Sequence, residues 1–100
     1  MSRYSVYITP GAWTEVEELP GHIRQRVRHT IRDLAKESQP ANSQQLSISG
    51  IQQEVRRIRL DKWRIIYAIT ESDNVIDVLA IRKRPPYDYG DLAGLLQNLR

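Results

Sequence analysis

Residues 54–89 read EVRRIRLDKWRIIYAITESDNVIDVLAIRKRPPYDY, and this stretch holds eight of the fifteen Lys and Arg residues of the chain. Successive side chains of a strand point to opposite faces, so Arg57 and Arg59 share one face while Ile58 and Leu60 occupy the other. The stretch therefore predicts a sheet with a cationic surface backed by a hydrophobic core. Such a surface, with tyrosines at its end, suits a polyanion whose bases can stack, and RNA is the candidate.

The composition limits the classes of protein that are possible. A chain of 100 residues is long enough to bury one hydrophobic core and too short for two, which predicts a single domain over residues 1–100. Cysteine is absent, so neither a disulfide framework nor a thiolate metal site is expected. His22 and His29 alone do not make a metal site. We therefore predict neither a metal nor a cofactor.

The N-terminal residues MSRYSVYITP lack the apolar run of a signal peptide. No stretch reaches the roughly 18 apolar residues that a membrane-spanning helix needs. These features predict a cytoplasmic protein without a membrane partner. The net charge of +3 is mild, and by itself it says only that the surface would not repel nucleic acid.

The first part of the chain predicts a strand and a helix. Apolar and polar residues alternate over residues 4–9, as in a half-buried strand. Thr9-Pro10 is typical of a helix start, because a threonine oxygen caps free amides and proline is tolerated at the first helical position. Pro20-Gly21 then interrupts the helix.

A second, longer helix is predicted from His22 to about Ser38. Its apolar residues recur at spacings of four, four and three, which is one face of an amphipathic helix: Ile23, Val27, Ile31 and Leu34. The polar stretch from Gln39 to Ser49 is predicted to be an exposed connection.

Three strands are predicted next, over residues 54–60, 63–70 and 75–82. Their short connections indicate antiparallel neighbours. Four leucines at i, i+3, i+4 and i+7 mark a short C-terminal helix: Leu92, Leu95, Leu96 and Leu99. The order predicts an α+β fold with a mainly antiparallel sheet, helices on one face and the arginines on the other.

Three strings in this order resemble the RelE/ParE superfamily of toxin–antitoxin systems. They are TPGA at residues 9–12, the basic strand-turn-strand RRIRLDKWRIIYAI at 56–69, and VIDVLAIRKR at 75–84 before a tyrosine. The resemblance extends over nearly the whole chain and implies a microbial-ribonuclease-like RelE fold. In this superfamily the RelE branch cleaves mRNA in the ribosomal A site, whereas the ParE branch poisons DNA gyrase.

The resemblance also implies a site. It assigns RNA binding to basic residues of the hairpin and the last strand: Arg57, Arg59, Lys62, Arg82 and Lys83. It assigns catalysis to two arginines and a terminal tyrosine, whose identity the spacing leaves open: Arg64, Arg84, and Tyr87 or Tyr89. Arginine stands at two positions where relatives commonly carry lysine, and Pro85-Pro86 replaces a stretch that in some relatives carries a histidine or an acid.

The implied reaction is attack of a 2′-OH on the adjacent phosphate without a metal, and arginines would stabilise the charge on the phosphate oxygens. Arg64 and Arg84 are the candidates for stabilising this charge. Arginine stays protonated and tyrosine titrates near pH ~10, so neither is an ordinary base. Either an arginine cluster lowers the pKa of the tyrosine, or the tyrosine stacks a base while the ribosome supplies much of the catalysis; we favour the second.

The partners implied are a RelB-like antitoxin, in a hetero-oligomeric complex, and the ribosome with its mRNA. The C-terminal helix either completes the core or is displaced by the antitoxin. Two other functions stay open: a gyrase inhibitor without chemistry of its own, and a non-toxic homologue that only binds an antitoxin. The basic strand face with Arg84 and the tyrosines favours the nuclease, although such arginines are also the ordinary solvated side of an antiparallel sheet.

Overall fold

The computed structural model describes residues 3–48, 53–83 and 92–97. Its elements in chain order are β1 (Ser5–Ile8), α1 (Pro10–Glu17), α2 (Gly21–Asp33), β2 (Ser43–Leu46), β3 (Glu54–Leu60), β4 (Trp63–Thr70), a 3-10 turn (Glu71–Asp73), β5 (Val75–Lys83) and α3 (Leu92–Gln97). The five strands form one sheet in the order β1-β5-β4-β3-β2. Only the β1–β5 pair of this sheet is parallel. The predicted α+β class with a mainly antiparallel sheet is confirmed.

The two N-terminal helices begin where the sequence predicted. Thr9 caps α1, because its Oγ1 accepts a hydrogen bond of 3.3 Å from the amide of Ala12. The second helix ends at Asp33 rather than near Ser38. After Asp33 the amides of Leu34, Ala35 and Lys36 donate to the carbonyls three residues before them, so the α-helical pattern gives way to a tighter turn. The carbonyl of Ala35 then accepts from the amides of Arg3 and Tyr4, at 2.8 and 3.0 Å, just before β1.

The main core lies between α1, α2 and one face of the sheet, here called the α1/α2 face. The helices bury small and branched apolar side chains against it, and the strands contribute Ile58, Ile65, Tyr67, Ile69, Ile76, Val78 and Ile81. Ile58 therefore faces the helices, while Arg57 and Arg59 lie on the other face, as the strand periodicity predicted.

The opposite face, here called the α3 face, is not wholly cationic as predicted. A second buried cluster covers its middle, formed by Val55, Ile66, Ala68, Leu79, Ala80 and Leu96. Leu96 belongs to α3, so this helix completes a core in the structure. The arginines are consequently confined to one end of the α3 face, beside the β3–β4 turn. In the described part of the chain, no helix is long and apolar enough to cross a membrane.

The segment predicted to be an exposed connection is mostly exposed over its described residues 39–48, but it contains strand β2, which the sequence did not predict. The strand pairs antiparallel with β3, and Ser43 lies opposite Ile58. Its side chains are mostly polar because it is an edge strand without a fully buried face. Arg56 fixes it from β3, since its Nε donates to Ser43 Oγ at 2.9 Å.

A β-bulge in the β4–β5 pair changes the side-chain alternation of β5. Tyr67 pairs with Val78, but Ile66 pairs with Ala80, so Leu79 is the extra residue. Leu79 and Ala80 both lie on the α3 face. After the bulge, the side chain of Arg82 therefore lies on the α3 face and that of Ile81 on the α1/α2 face, the reverse of what an unbroken strand would give.

Candidate functional site

Three arginines form one row across three strands on the α3 face. Arg59 on β3 lies directly opposite Arg64 on β4, and Arg64 lies directly opposite Arg82 on β5. Side chains opposite each other in antiparallel strands have Cβ atoms about 4.5–5.5 Å apart, and like charges at such positions destabilise a sheet. A row of this kind is favourable when an anion lies across it.

Arg59 is the exposed member of the arginine row. No ion pair or hydrogen bond of its side chain is found among the described residues. Because the guanidinium is a planar fork of five donors, it suits a phosphate group in two-point contact.

Arg64 is buried, with 5% of its surface exposed. Its Nη1 donates to the backbone carbonyls of Asp61 and Trp63, at 2.8 and 2.9 Å. Asp61 has a positive φ of 55°, which aspartate tolerates better than most residues. The predicted catalytic arginine therefore stabilises the β3–β4 turn, and its buried Nε has no partner among the described residues.

Arg82 is held from α1. Its Nε lies 3.5 Å from Oε2 of Glu15. Oε1 of the same carboxylate accepts a 2.9 Å hydrogen bond from the amide of Ile81. Strand β1 ends opposite Val78, so Glu15 takes the place of a neighbouring strand at this edge of β5.

Arg57 lies on the α3 face beside the row, but it is directed towards β2. Its Nη2 donates to Oε1 of Gln44, which is its cross-strand neighbour. Its Nε is buried without a partner among the described residues. Arg57 is therefore positioned at the border of the row rather than in it.

The two lysines predicted to bind RNA lie elsewhere. Lys62 is exposed in the β3–β4 turn. Lys83 follows Arg82 and so lies on the α1/α2 face, where its Nζ is 5.8 Å from the ring centroid of Trp63. The structure thus brings together Arg59, Arg64 and Arg82, with Lys62 and Lys83 around the end of the sheet. Arg84, Tyr87 and Tyr89 lie outside the described residues.

The sequence interpretation missed two polar residues of the α3 face. Asp77 is 3% exposed and lies opposite Ala68 on one side and Tyr7 on the other. Tyr7 is 55% exposed. The available signal was an acid inside the apolar run VIDVLAI, since a buried carboxylate is rare without a partner.

Comparison with known proteins decides the family. The family model described as the ParE toxin of type II toxin–antitoxin systems, parDE, matches residues 6–85. The chain belongs to this toxin family. No curated protein sequence matched it.

Solved structures relate the toxin to RelE proteins. A chain of the archaeal RelE–RelB complex from Pyrococcus horikoshii OT3 is 25% identical with a TM-score of 0.74, and the match covers 85% of the toxin and 99% of that chain. A chain of the RelBE2 toxin–antitoxin complex of Mycobacterium tuberculosis is 22% identical with a TM-score of 0.69, and the match covers 82% of the toxin and 99% of that chain. The isolated RelE toxin of Escherichia coli is 18% identical with a TM-score of 0.63, and the match covers 91% of the toxin and 95% of that chain. The predicted membership of the RelE/ParE superfamily, near the RelE branch in structure, is confirmed.

Tyr67 has a structural place in the toxin. It is fully buried on the α1/α2 face, and its hydroxyl donates to the carbonyl of Ser38 at 2.7 Å. Burial raises the pKa of the Tyr67 phenol, although contacts with Ser43 and Arg56 oppose that rise. This phenol therefore stays protonated at neutral pH and is unsuited to act as a base.

The toxin also has an apolar groove between β1 and the two N-terminal helices, here called the Trp13 groove. It has a volume of about 370 Å³, and Val6, Ile8, Trp13 and Ile31 line it. Trp13 is 42% exposed, and the guanidinium of Arg28 lies 5.9 Å from its ring centroid. An aromatic with an exposed face and a basic rim is typical of a protein-binding surface.

Proposed function

We propose that the toxin cleaves mRNA within translating ribosomes, by attack of a 2′-OH on the adjacent phosphate. The observation that supports this most is the row of Arg59, Arg64 and Arg82 across β3, β4 and β5. The step forms a bond from the 2′ oxygen to phosphorus and breaks the bond to the 5′ oxygen. The 2′-OH loses a proton and the leaving 5′ oxygen gains one, so the products are a cyclic phosphate and a 5′-OH.

Arg59 and Arg82 would contact the non-bridging oxygens, where negative charge builds up in the transition state. Removal of one well-placed donor of this kind typically lowers the rate by about 10²–10³. Arg59 is exposed for this role, and Glu15 holds Arg82 at the edge of the sheet. Arg64 would act as a positioning residue, because its bonds to Asp61 and Trp63 fix the turn between β3 and β4.

The proton transfers need groups other than the arginine row. His22 and His29 lie on α2, which packs on the face opposite the row. Arg84 remains part of the proposal as a further donor to the phosphate oxygens, and either Tyr87 or Tyr89 remains as the terminal tyrosine. In it, the tyrosine stacks a base, and the ribosome with its bound message orients the 2′-OH for attack.

We propose that a RelB-like antitoxin restrains the toxin in a hetero-oligomeric complex in the cytoplasm, where translated mRNA lies. The structural relatives from P. horikoshii and M. tuberculosis were solved as toxin–antitoxin complexes. The Trp13 groove is the surface that fits this partner, because an amphipathic helix can place apolar side chains against Trp13 and acidic ones against Arg28 and Arg32.

A second candidate function is inhibition of DNA gyrase without chemistry by the toxin itself. The observation in its favour is that the matching family model is the ParE toxin model. Such an inhibitor would not need a row of arginines that can converge on a phosphate.

Expression in bacterial cells followed by mapping of transcript 5′ ends separates the two functions. The nuclease gives cuts within translated regions in phase with codons, and an Arg59→Ala, Arg82→Ala variant loses them. A Lys36→Ala variant, which removes an exposed charge on the segment after α2, keeps them. Double-strand DNA breaks with intact messages would instead establish the gyrase function.

A further inference from the structure

A second cavity lies around the end of the sheet, between the start of α2 and the β3–β4 turn. This cavity, here called the Trp63 pocket, has a volume of about 290 Å³. Its lining includes His22, Ile23, Lys62, Trp63 and Lys83. Trp63 is half-buried and Ile23 is buried, so the pocket has an apolar floor and an aromatic wall.

The charged lining of the Trp63 pocket is basic in effect. Lys62 and Lys83 are exposed at its mouth. Among the described residues of the lining the one acid is Asp61, whose Oδ2 is paired with Nη1 of Arg26 at 2.6 Å. An anionic group at the mouth would therefore meet two lysines and a carboxylate that is already neutralised.

The Trp63 pocket adjoins the arginine row. Trp63 and Lys83 are cross-strand neighbours, and the next pair along the same strands is Arg64 and Arg82. The two pairs point to opposite faces because side chains alternate along a strand. A polynucleotide that crosses the row can thus turn around the end of the sheet and enter the pocket.

We infer that the Trp63 pocket binds one unpaired nucleobase of single-stranded RNA, stacked on Trp63, with the adjoining phosphate on Lys62 and Lys83. This inference rests on the proposed function and extends it to the nucleotide next to the arginine row. The ammonium of Lys83 already lies over the ring of Trp63. It would move from the aromatic face to the phosphate when a base takes its place, and both contacts are favourable for a cation.

The test uses the full chain with Trp13→Phe, which leaves Trp63 as the only tryptophan. The probe is a 2′-O-methylated RNA oligomer, which cannot be cleaved by attack of a 2′-OH, labelled for fluorescence anisotropy. The expected result is binding accompanied by quenching of Trp63 emission. Inorganic polyphosphate, which carries the charge without bases, can draw Lys83 away from Trp63 but cannot stack on the ring, so it is expected to quench the emission far less than the oligomer does.

Variants give a second readout. Loss of one base-stacking aromatic corresponds to roughly a 5- to 150-fold rise in Kd, which is expected for Trp63→Leu. Lys62→Ala and Lys83→Ala should each reduce the slope of log K against log salt by about 0.7, while the exposed control Lys36→Ala leaves it unchanged. If Trp63→Leu fails to fold, the quenching measured in the Trp13→Phe protein still shows whether a base stacks on Trp63.

Three results would contradict the proposal that the Trp63 pocket binds a nucleobase. They are RNA binding without quenching of Trp63, equal quenching by polyphosphate, and an oligomer that changes neither anisotropy nor emission. None of these depends on cleavage, so codon-phased 5′ ends in cells would still support the nuclease. Conversely, quenching by RNA without such cuts would support base binding in the Trp63 pocket and contradict the proposed nuclease activity.

Discussion

Arg64 and Arg82 lie directly opposite each other on β4 and β5, yet different partners hold their guanidinium groups. Arg64 donates to two turn carbonyls, whereas Arg82 is paired with Glu15 of α1. The row therefore combines a buried arginine that fixes a turn with flanking arginines that are more accessible. Substitutions in the row should separate these two roles.

Arg59→Ala and Arg82→Ala are expected to reduce RNA cleavage by about 10²–10³ each, because each removes a donor to the charged phosphate oxygens. Arg59→Ala should leave stability nearly unchanged, since that side chain is exposed. Quantitative 5′-end mapping at matched expression measures the effect, with Lys36→Ala as the control. Full cleavage by Arg59→Ala would remove this arginine from the site.

Arg64→Ala is expected to lower the free energy of unfolding by about 2–3 kcal/mol, because two hydrogen bonds from a charged donor are lost and the turn carbonyls lose their partner. Urea denaturation followed by circular dichroism measures it. Arg59→Ala is the matched control, one strand away in the same row. An unchanged urea midpoint for Arg64→Ala would contradict the turn-fixing role.

The raised pKa of the buried Tyr67 phenol should lower the free energy of unfolding at alkaline pH. Below the unfolded pKa of about 10 both states carry the proton, so its contribution is fully present. Because burial raises the pKa in the folded state, the unfolded state releases the proton first, and the free energy of unfolding falls as the pH rises from about 10 through the folded value. Tyr67→Phe should cost about 1 kcal/mol at pH ~7 and show a shallower decline above pH ~10. Equal slopes in urea titrations of the two proteins would refute the shift.

Glu15→Ala is expected to expose the edge of β5. The amide of Ile81 donates to Glu15 rather than to a strand, so its hydrogen exchange should accelerate when the carboxylate is removed. The amide of Thr9, which donates to the carbonyl of Val78 at 3.1 Å, serves as the internal control. Glu15→Gln keeps an acceptor and should preserve most of the protection. Unchanged exchange at Ile81 in Glu15→Ala would show that the carboxylate does not protect this edge.

Trp13→Ala is expected to weaken antitoxin binding by at least about 2 kcal/mol, or roughly 30-fold, because a tryptophan in an apolar groove is a typical interface hot spot. Calorimetric titration with the proposed RelB-like antitoxin measures it. Trp63→Leu is the matched control, since Trp63 also has a cation over its ring but lies outside the Trp13 groove. Equal loss in both variants would point to a general folding defect instead.

Local patterns in the sequence were sufficient for much of the fold. The spacing of Ile23, Val27 and Ile31 predicted the buried face of α2, and Thr9-Pro10 predicted the start of α1. These features depend on side chains within one or two turns, so the chain alone carries them. Strand β2 was missed because its hydrogen bonds are to β3, and its residues SQQL have no alternation of their own.

The sequence by itself determined that Arg57 and Arg59 oppose Ile58, because the alternation of a regular strand is a local property. It did not determine the face of Arg82. In an unbroken strand Arg82 would share the face of Val78, towards the helices. The bulge at Leu79 adds one residue and moves Arg82 into register with Arg64. Only the pairing of β4 with β5 decides this, because a bulge is a relation between two strands.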